Sequence, residues 1–431
     1  MNYLNIFLFT AFSLLGSVLK ADDCNNGRYQ KPVFSRVQVI NNIYYATKIQ
    51  SDNKPIHLRY DIYQPAGDTL SERPIMLLIH GGAYLKLLDQ SSPDIVLMCN
   101  YFAKLGYVAV SINYRQEPNP LSLLSGEKMV KAVGRALIDT KEAVDHLMLT
   151  YQNGNPYRID TSRAFIGGVS AGGVSSLFIT FLDSLSMLPP QFQEWIIESN
   201  GIEADSILKH KFDLVKPKAA ISISGAISDL SWIRNVGIDL FLNHGSADEL
   251  VPYRTGKPFG LPDLPTLSGG KDIYPLAVQA GIRTFFEDWE GRGHVPFMNL
   301  DFGSIITLQL INQPILDSTL HNITRFIYPL LGCEEDKATS IRQNKIADLK
   351  LFPNPSNGIF NIDMPKRNNN NEGYLQLFDL NGKLYVERKI NPQESVLHFD
   401  ENLSSGQYFI KLSFKEKNII DYYTASFSVV K

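Results

Sequence analysis

The chain has 431 residues, of which 44% are hydrophobic and 20% charged, so it is long enough for one large globular domain and a smaller one. Its formal net charge of −3 gives no basic field of the kind that draws a protein to nucleic acid or anionic lipid. We therefore expect no nucleic-acid partner.

The N-terminal segment contains an apolar run from Ile6 to Leu19 that ends near Ala21. This run is too short to span a bilayer, and a small residue after such a run is typical of a secretory signal. We therefore predict that residues 1–21 are a cleaved signal peptide and that the protein is exported without a membrane span. An uncleaved membrane anchor is the alternative.

From Val37 to about Leu331 the sequence alternates strand-like and helix-like segments. Short apolar runs that end in Gly or a polar turn are typical of strands buried on both faces of a mostly parallel sheet. We therefore predict an α/β domain over residues 22–332. The predicted strands are YATKIQ, HLRYDIYQP, RPIMLLIHGG, YVAVSINYR, RAFIGGVS, PKAAISISG, IDLFLNHG and RTFFEDW, and the predicted helices are VLMCNYFAKLGY, KAVGRALIDTKEAVDHLMLTY and GVSSLFITFL.

An amphipathic insertion at about 182–217 interrupts this alternation. Its aromatic residues Phe192 and Trp195 are candidates for contact with a substrate. The segment is either a lid or pocket wall, or a piece that packs on the domain surface.

The sequence changes character after Cys333. Residues 333–348 are polar and predict a linker. Within 349–431, the segment GYLQLFDLNGKLYVERKI predicts two strands around an Asn381-Gly382 turn, and GQYFIKLSF and DYYTASFSVV predict further strands. This stretch predicts a separate, small all-β domain.

The chain has three cysteines, so at least one thiol is unpaired in the exported protein. Cys99 lies in an apolar, helix-like stretch, as a buried small residue would. Cys24 and Cys333 bracket the predicted α/β domain, and we hypothesise that they form a disulfide, although spacing alone leaves the pairing open.

The most informative short segment is Gly168-Val169-Ser170-Ala171-Gly172, which lies between a predicted strand and a predicted helix. Glycine and serine also form ordinary turns, so the pattern alone is weak. In this context it predicts a nucleophile elbow, a sharp strand-to-helix turn that presents the Ser170 hydroxyl.

A nucleophilic serine needs a base, and the base needs an acid to orient it. Asp248 and then His294 follow Ser170 in the chain, each in a loop after a predicted strand, so one edge of a parallel sheet would gather them. Asp248 lies nearer its strand end than the adjacent Glu249. His244 and His210 are weaker candidates for the base, because one directly ends a strand and the other lies in the insertion.

A second loop, His80-Gly81-Gly82-Ala83-Tyr84, follows the predicted strand RPIMLLI. Small residues let backbone N–H groups approach a developing oxyanion. We predict that Gly82 and Ala83, with Ala171 next to the nucleophile, supply these groups. His80 is predicted to brace the loop, and Tyr84 is a further candidate for substrate contact; a simple strand-ending turn is the alternative.

Residues from about 37 to 332 resemble the α/β-hydrolase superfamily, and within it the HGG-type carboxylesterases and lipases. The segments HGGAY, DTSRAFIGGVSAGG, HGSADELVP and GRGHVPF carry the resemblance. It implies ester hydrolysis through an acyl-enzyme: Ser170 attacks, His294 moves the proton, Asp248 orients His294, and no metal or organic cofactor is needed. Ala83 departs from the third glycine of many relatives, which keeps the N–H and narrows the pocket.

The segments LKLFPNPSNGIFNI, LFDLNGKLY and LSSGQYFIKL resemble the type A sorting domain of the Bacteroidetes type IX secretion system. The resemblance implies that the secretion machinery is a partner and that the protein is secreted or held at the cell surface. An accessory binding module is the alternative, because a small β-domain specifies little by itself.

Three functions fit these residues. A secreted carboxylic ester hydrolase is favoured, and acetyl or feruloyl groups on polysaccharides or lipid-like esters are plausible substrates by analogy. A serine peptidase or amidase shares the catalytic groups. A non-catalytic binding protein on the same fold is a third hypothesis, less favoured because such proteins usually lack one of the three groups.

Overall fold

The computed structural model describes residues 22–298 and 311–333, together with 347–348, 350–354, 356–363, 373–379, 384–390, 396–400, 403–416 and 419–431. The chain divides into two compact units, Met1–Cys333 and Glu334–Lys431. The predicted signal peptide, most of the predicted linker and the predicted Asn381-Gly382 turn lie outside the described residues.

The first unit contains seven α-helices and eleven strands in its described part. Its helices are α1 Pro93–Leu105, α2 Gly126–Gln152, α3 Ala171–Phe181, α4 Pro190–Asn200, α5 Ala204–Lys209, α6 Gly270–Gln279 and α7 Gln313–Ile327. Its strands are β1 Val37–Ile49, β2 Pro55–Pro65, β3 Arg73–Ile79, β4 Val108–Ile112, β5 Ile159–Val169, β6 Ala219–Ile223, β7 Ala226–Ile227, β8 Asp239–Gly245, β9 Thr255–Gly256, β10 Leu267–Gly269 and β11 Thr284–Trp289.

Eight of these strands form one sheet in the order β1-β2-β4-β3-β5-β6-β8-β11. The pairs β1/β2 and β2/β4 are antiparallel, and the six strands from β4 to β11 run parallel to one another. The predicted mostly parallel sheet is therefore confirmed. Because β3, β5, β8 and β11 run in the same direction, the loops that follow them meet at one edge of the sheet.

Helices cover both faces of this sheet, and the alternation of side chains along a strand shows how. In β3, Ile75 and Leu77 face a core that includes buried residues of α2, α3 and α6. Met76 and Leu78, between and beside them, face a second core with α1 and α7. Burial on both faces explains why β3 is a continuous apolar run.

The predicted insertion contains α4 and α5, and α4 packs on α2. Cys24 and Cys333, near the two ends of the described part of this unit, are joined by a disulfide. Cys99 is a free, fully buried thiol on α1. None of the helices in the described ranges is both long and apolar enough to cross a membrane.

The described part of the second unit is entirely β-structure around a small apolar core that contains Phe360, Leu375 and Ile410. Its strands are β12 Ala347–Asp348, β13 Lys350–Phe352, β14 Ile359–Asp363, β15 Gly373–Asp379, β16 Leu384–Ile390, β17 Val396–Asp400, β18 Gly406–Glu416 and β19 Ile419–Val429. They form a five-stranded sheet, β12-β19-β18-β15-β16, and a three-stranded sheet, β13-β14-β17. The predicted all-β character of this region is confirmed.

Candidate active site

Ser170 lies on a strained turn between β5 and α3. Its backbone has φ 56° and ψ −118°, a conformation that costs a non-glycine residue about 1–3 kcal/mol and clusters at functional sites. The turn is possible because Gly172 has no side chain: a Cβ there would lie 2.0 Å from the Ile79 carbonyl oxygen. The helix thus begins directly against the end of β3, and Ser170 stands half-buried at its N-terminus.

The structure brings the three predicted catalytic side chains into one hydrogen-bonded chain. His294 Nε2 lies 2.7 Å from Ser170 Oγ, and His294 Nδ1 lies 2.7 Å from Asp248 Oδ2. The two supporting loops contact each other, because the Ala247 N–H donates to the Arg292 carbonyl at 2.9 Å. This is the geometry in which a carboxylate orients an imidazole that accepts the serine proton.

Asp248 is held in its charged form although its side chain is fully buried. Burial acts to raise the pKa of this carboxyl, but the nearby His294 and hydrogen bonds from His244 and His294 outweigh it and hold the pKa of Asp248 well below its usual range. The backbone N–H groups of Leu250 and Val251 each donate to Oδ1 at 2.9 Å. Asp248 can therefore stay ionised beside His294.

Sequence reasoning missed the role of His244, because a histidine that directly ends a strand is a weak candidate for the base. Its Nε2 lies 3.1 Å from Asp248 Oδ2, so this side chain supports the acid and not the serine. The signal that could have found it is the four-residue spacing from His244 to Asp248 in the segment HGSAD. Glu249 and His210 lie away from this chain of contacts, since both are exposed and His210 pairs with Asp213.

The predicted oxyanion loop packs directly on the serine turn. A Cβ on Gly81 would lie 3.0 Å from the Val169 carbonyl oxygen. Ala83 and Tyr84 both have positive φ, at 54° and 58°, so this loop also holds backbone strain. Ala171 is the first residue of α3, where N–H groups have no partner within the helix. The Gly81 end of this loop therefore packs against the turn of Ser170, and Ala171 follows Ser170 directly.

Aromatic side chains hold the loop from His80 to Tyr84 in place. The Tyr114 hydroxyl donates to the His80 carbonyl at 3.0 Å and the Gly81 carbonyl at 3.3 Å, and the Tyr114 ring stacks on His80 with centroids 4.4 Å apart. His80 is fully buried, and burial lowers its pKa, so a neutral ring braces the loop. The Tyr84 hydroxyl donates to the Ala171 carbonyl at 2.8 Å, which ties the loop to α3.

A cavity of about 110 Å³ opens beside Ser170 and is lined mainly by apolar side chains. Tyr84 and Phe192, two of the three predicted substrate contacts, line it. Trp195, the third, stacks on Phe192 with ring centroids 5.5 Å apart, and it is not one of the described residues that line the cavity.

The fold and the sequence together define an α/β-hydrolase. Residues 60–208 match the model of the family described as BD-FAE, an esterase family of this fold. Residues 350–422 match the model described as secretion system C-terminal sorting domain. The chain therefore contains a domain of this esterase family, with the α/β-hydrolase fold, followed by a type IX sorting domain, which directs secretion to the cell surface or beyond it.

Solved structures that are similar to this chain include several esterases. The esterase Est2 from Thermogutta terrifontis, a Planctomycetes species, is 18% identical with a TM-score of 0.43, over 68% of this chain and 95% of that one. Esterase B from Lactobacillus rhamnosis is 13% identical with a TM-score of 0.40, over 74% and 94%. The bacterial brefeldin A esterase is 13% identical with a TM-score of 0.37, over 75% and 87%. No curated protein sequence matches this chain.

Proposed function

We propose that the protein is an exported serine carboxylic ester hydrolase that works through an acyl-enzyme. The observation that carries this proposal is the continuous chain of contacts from Ser170 Oγ through His294 to Asp248. The catalytic domain in this proposal is 22–332, preceded by a signal peptide at 1–21. A linker at 333–348 joins it to a sorting domain at 349–431.

In the first half-reaction, Ser170 Oγ attacks the ester carbonyl carbon and its proton passes to His294 Nε2. The imidazolium that forms is stabilised by Asp248, whose charge is secured by its own donors. The negative carbonyl oxygen is stabilised by the N–H groups of Gly82, Ala83 and Ala171. When the carbon–oxygen bond to the alcohol breaks, His294 gives its proton to the departing oxygen.

In the second half-reaction, water replaces the alcohol. His294 takes a proton from the water as it attacks the acyl carbon, and the same N–H groups stabilise the second tetrahedral intermediate. The bond to Ser170 then breaks, and His294 returns the proton to Oγ. Each step uses only groups of this chain and the two substrates.

Substitution of the nucleophile tests this mechanism. Ser170→Ala should lower kcat toward 4-nitrophenyl butanoate by about 10³-fold or more and should abolish labelling by a fluorophosphonate. Ser231→Ala, a change of an exposed serine in the same unit, is the matched control and should keep both. Full turnover by Ser170→Ala, or a fluorophosphonate mapped by mass spectrometry to another serine, would contradict the proposal.

The peptidase hypothesis is tested with the same enzyme. A matched pair of substrates that share one acyl group, an ester and an anilide, should give a much larger kcat/KM for the ester. Faster cleavage of the anilide would replace the ester hydrolase with an amidase on the same catalytic groups.

A further inference from the structure

The cavity beside Ser170 has a chemical character that restricts what can enter it. Three helices of the catalytic unit contribute to its walls: Val133 and Leu137 of α2, Val174 and Phe178 of α3, and Phe192 and Ile196 of α4. The segment from Val251 to Leu267 closes another side with further apolar side chains. The described residues that line it include no charged side chain. Transfer from water into this space lowers the free energy of apolar groups and raises that of polar ones. The part of a ligand that fills the cavity must therefore be hydrocarbon.

Few polar atoms reach this cavity from its described walls. Ser170 is the nucleophile, and the Tyr84 hydroxyl is engaged with the Ala171 carbonyl and with Ser175. Ser228 is the other lining residue with a side-chain hydroxyl. A sugar ring, or an acyl group with its own hydroxyls, would lose more hydrogen bonds to water than this wall can replace.

The position of the cavity shows which half of an ester it receives. Ala83 and Ala171, two of the predicted oxyanion donors, line it, whereas His294 is not among its described lining residues. The departing alcohol must lie within reach of His294 Nε2, because that atom protonates it. Because the cavity is lined by Ser170 and these two donors and not by His294, we assign it to the acyl group, which stays on Ser170 after the alcohol leaves.

The cavity wall formed by α4 is anchored to the rest of the unit. A Cβ on Gly134 would lie 2.9 Å from Ile196, so α2 and α4 are in close contact. The Arg115 guanidinium donates to Asn200 at the end of α4 at 2.8 Å, and Lys131 pairs with Glu198 at 2.7 Å. The acyl pocket is therefore preformed, and its volume limits the acyl chain.

We propose, on the basis of the function proposed above, that the preferred substrates are esters of short unbranched saturated acids, from butanoyl to hexanoyl. An apolar cavity of about 150 Å³ holds a benzene molecule, so the smaller volume of about 110 Å³ here suits a narrower group, an alkyl chain of a few carbon atoms. An acetyl group leaves most of this apolar space unfilled. A feruloyl group would carry a phenol and a methoxy oxygen into it.

A chain-length series with a constant alcohol tests the proposal. For 4-nitrophenyl esters, kcat/KM should rise about fourfold for each added methylene that is buried, reach its maximum between butanoyl and hexanoyl, and fall for decanoyl. The 4-nitrophenyl ferulate should be a poorer substrate than the hexanoate. A maximum at acetyl, or a preference for ferulate, would overturn the proposal.

Two variants at residues that line the cavity distinguish a change in acyl-chain preference from a general loss of activity. Val133→Phe should lower kcat/KM for the hexanoate at least tenfold while the acetate stays within about twofold, and Leu267→Ala should move the maximum to longer chains. Ile197→Phe, on the exposed side of α4, is the control and should leave the series unchanged. An unchanged series in both wall variants would also overturn the proposal.

The two proposals fail in different ways. If the wild-type enzyme hydrolyses acetate best and Ser170→Ala is inactive, the acyl pocket is refuted and the serine esterase stands. If the wild-type enzyme hydrolyses none of these esters, the proposed function itself is refuted.

Discussion

His244 Nε2 lies 3.1 Å from Asp248 Oδ2, the same carboxylate oxygen that lies 2.7 Å from His294 Nδ1. The Gly270 N–H donates to His244 Nδ1 at 3.3 Å, so Nδ1 is the acceptor of this ring and Nε2 carries the proton. His244 is therefore a donor to Asp248. With two backbone N–H groups on Oδ1, the carboxylate has donors at both oxygens.

Removal of this donor should change the pH dependence of the enzyme. In His244→Phe, Asp248 loses one of the groups that hold its pKa below its usual range, so it takes up a proton at a higher pH. The acid-side loss of kcat/KM should move to higher pH, and kcat at neutral pH should fall roughly tenfold to a hundredfold, since a hydrogen bond to a charged group contributes about 1.5–3 kcal/mol. A pH–rate profile measures both.

His244→Gln is the conservative control, because its side-chain amide can also donate to a carboxylate. It should restore most of kcat and return the acid limb toward its wild-type position. If both variants lose activity with an unchanged acid limb, His244 has a packing role only and does not position Asp248.

The gathering of Ser170, Asp248 and His294 could be predicted because each follows a strand and parallel strands end at one edge. The side chains that surround these three residues could not be predicted in the same way. His244 looks like an ordinary strand residue until the loop that carries Asp248 turns back onto it. Trp195 is predicted as a substrate contact from its aromatic character, but the sequence does not show which face of α4 meets α2 and the cavity.

The limits of β1 show a second reason for incomplete prediction. The sequence predicts a strand only from Tyr45, whereas β1 begins at Val37. Two irregularities, between Ile40 and Ile43 and between Tyr44 and Ala46, shift its register against β2. Each shift interrupts the alternation of apolar and polar residues that marks a half-buried strand. The sequence of the first half of β1 therefore shows no regular alternation from which a strand could be predicted.

The hydrogen bonds from the Tyr114 hydroxyl to the predicted oxyanion loop give a prediction about catalysis in a variant that still folds. Tyr114→Phe removes the hydroxyl that holds the His80 and Gly81 carbonyls, and two of the proposed oxyanion donors, Gly82 and Ala83, follow these residues directly. We expect kcat to fall about threefold to tenfold, equivalent to a hydrogen bond of about 0.5–1.5 kcal/mol, with little change in KM.

Tyr107→Phe is the matched control for that experiment. Tyr107 is as buried as Tyr114, but its hydroxyl has no hydrogen-bond partner among the described residues. Its removal should therefore leave kcat unchanged and the free energy of unfolding equal or slightly higher. Equal effects of the two variants on kcat would show that the Tyr114 hydroxyl does not position the loop.

The Cys24–Cys333 disulfide predicts a redox-dependent stability. It closes a loop with a sequence separation of 309 residues, and a cross-link over so long a loop removes much of the entropy of the unfolded chain. The double variant Cys24→Ser, Cys333→Ser should lose roughly 2–5 kcal/mol of unfolding free energy. Its Tm should not respond to a reductant, whereas the wild-type Tm should fall once thiol titration shows that the bond is reduced; a double variant with the wild-type unfolding free energy would show that the bond contributes nothing.

Lys211 predicts a second pH dependence, one of stability and not of catalysis. Its ammonium is buried where it donates to the Leu182 carbonyl at 2.6 Å and to Asp183 at 2.9 Å, and Asp183 also pairs with Arg234. Burial lowers the pKa of Lys211 to about 7, against about 10.4 in an unfolded chain. Between these values the unfolded state binds more protons, so the contribution of Lys211 to stability rises with pH.

The comparison with Lys211→Met isolates this contribution, because methionine keeps much of the volume and does not titrate. The wild-type unfolding free energy minus that of the variant should be constant below about pH 7, where Lys211 is charged in both states, and should increase from there toward pH 10. Urea unfolding at a series of pH values measures the difference. A difference that stays flat across this window would show that Lys211 keeps its charge in the folded protein, held by Asp183 against the cost of burial.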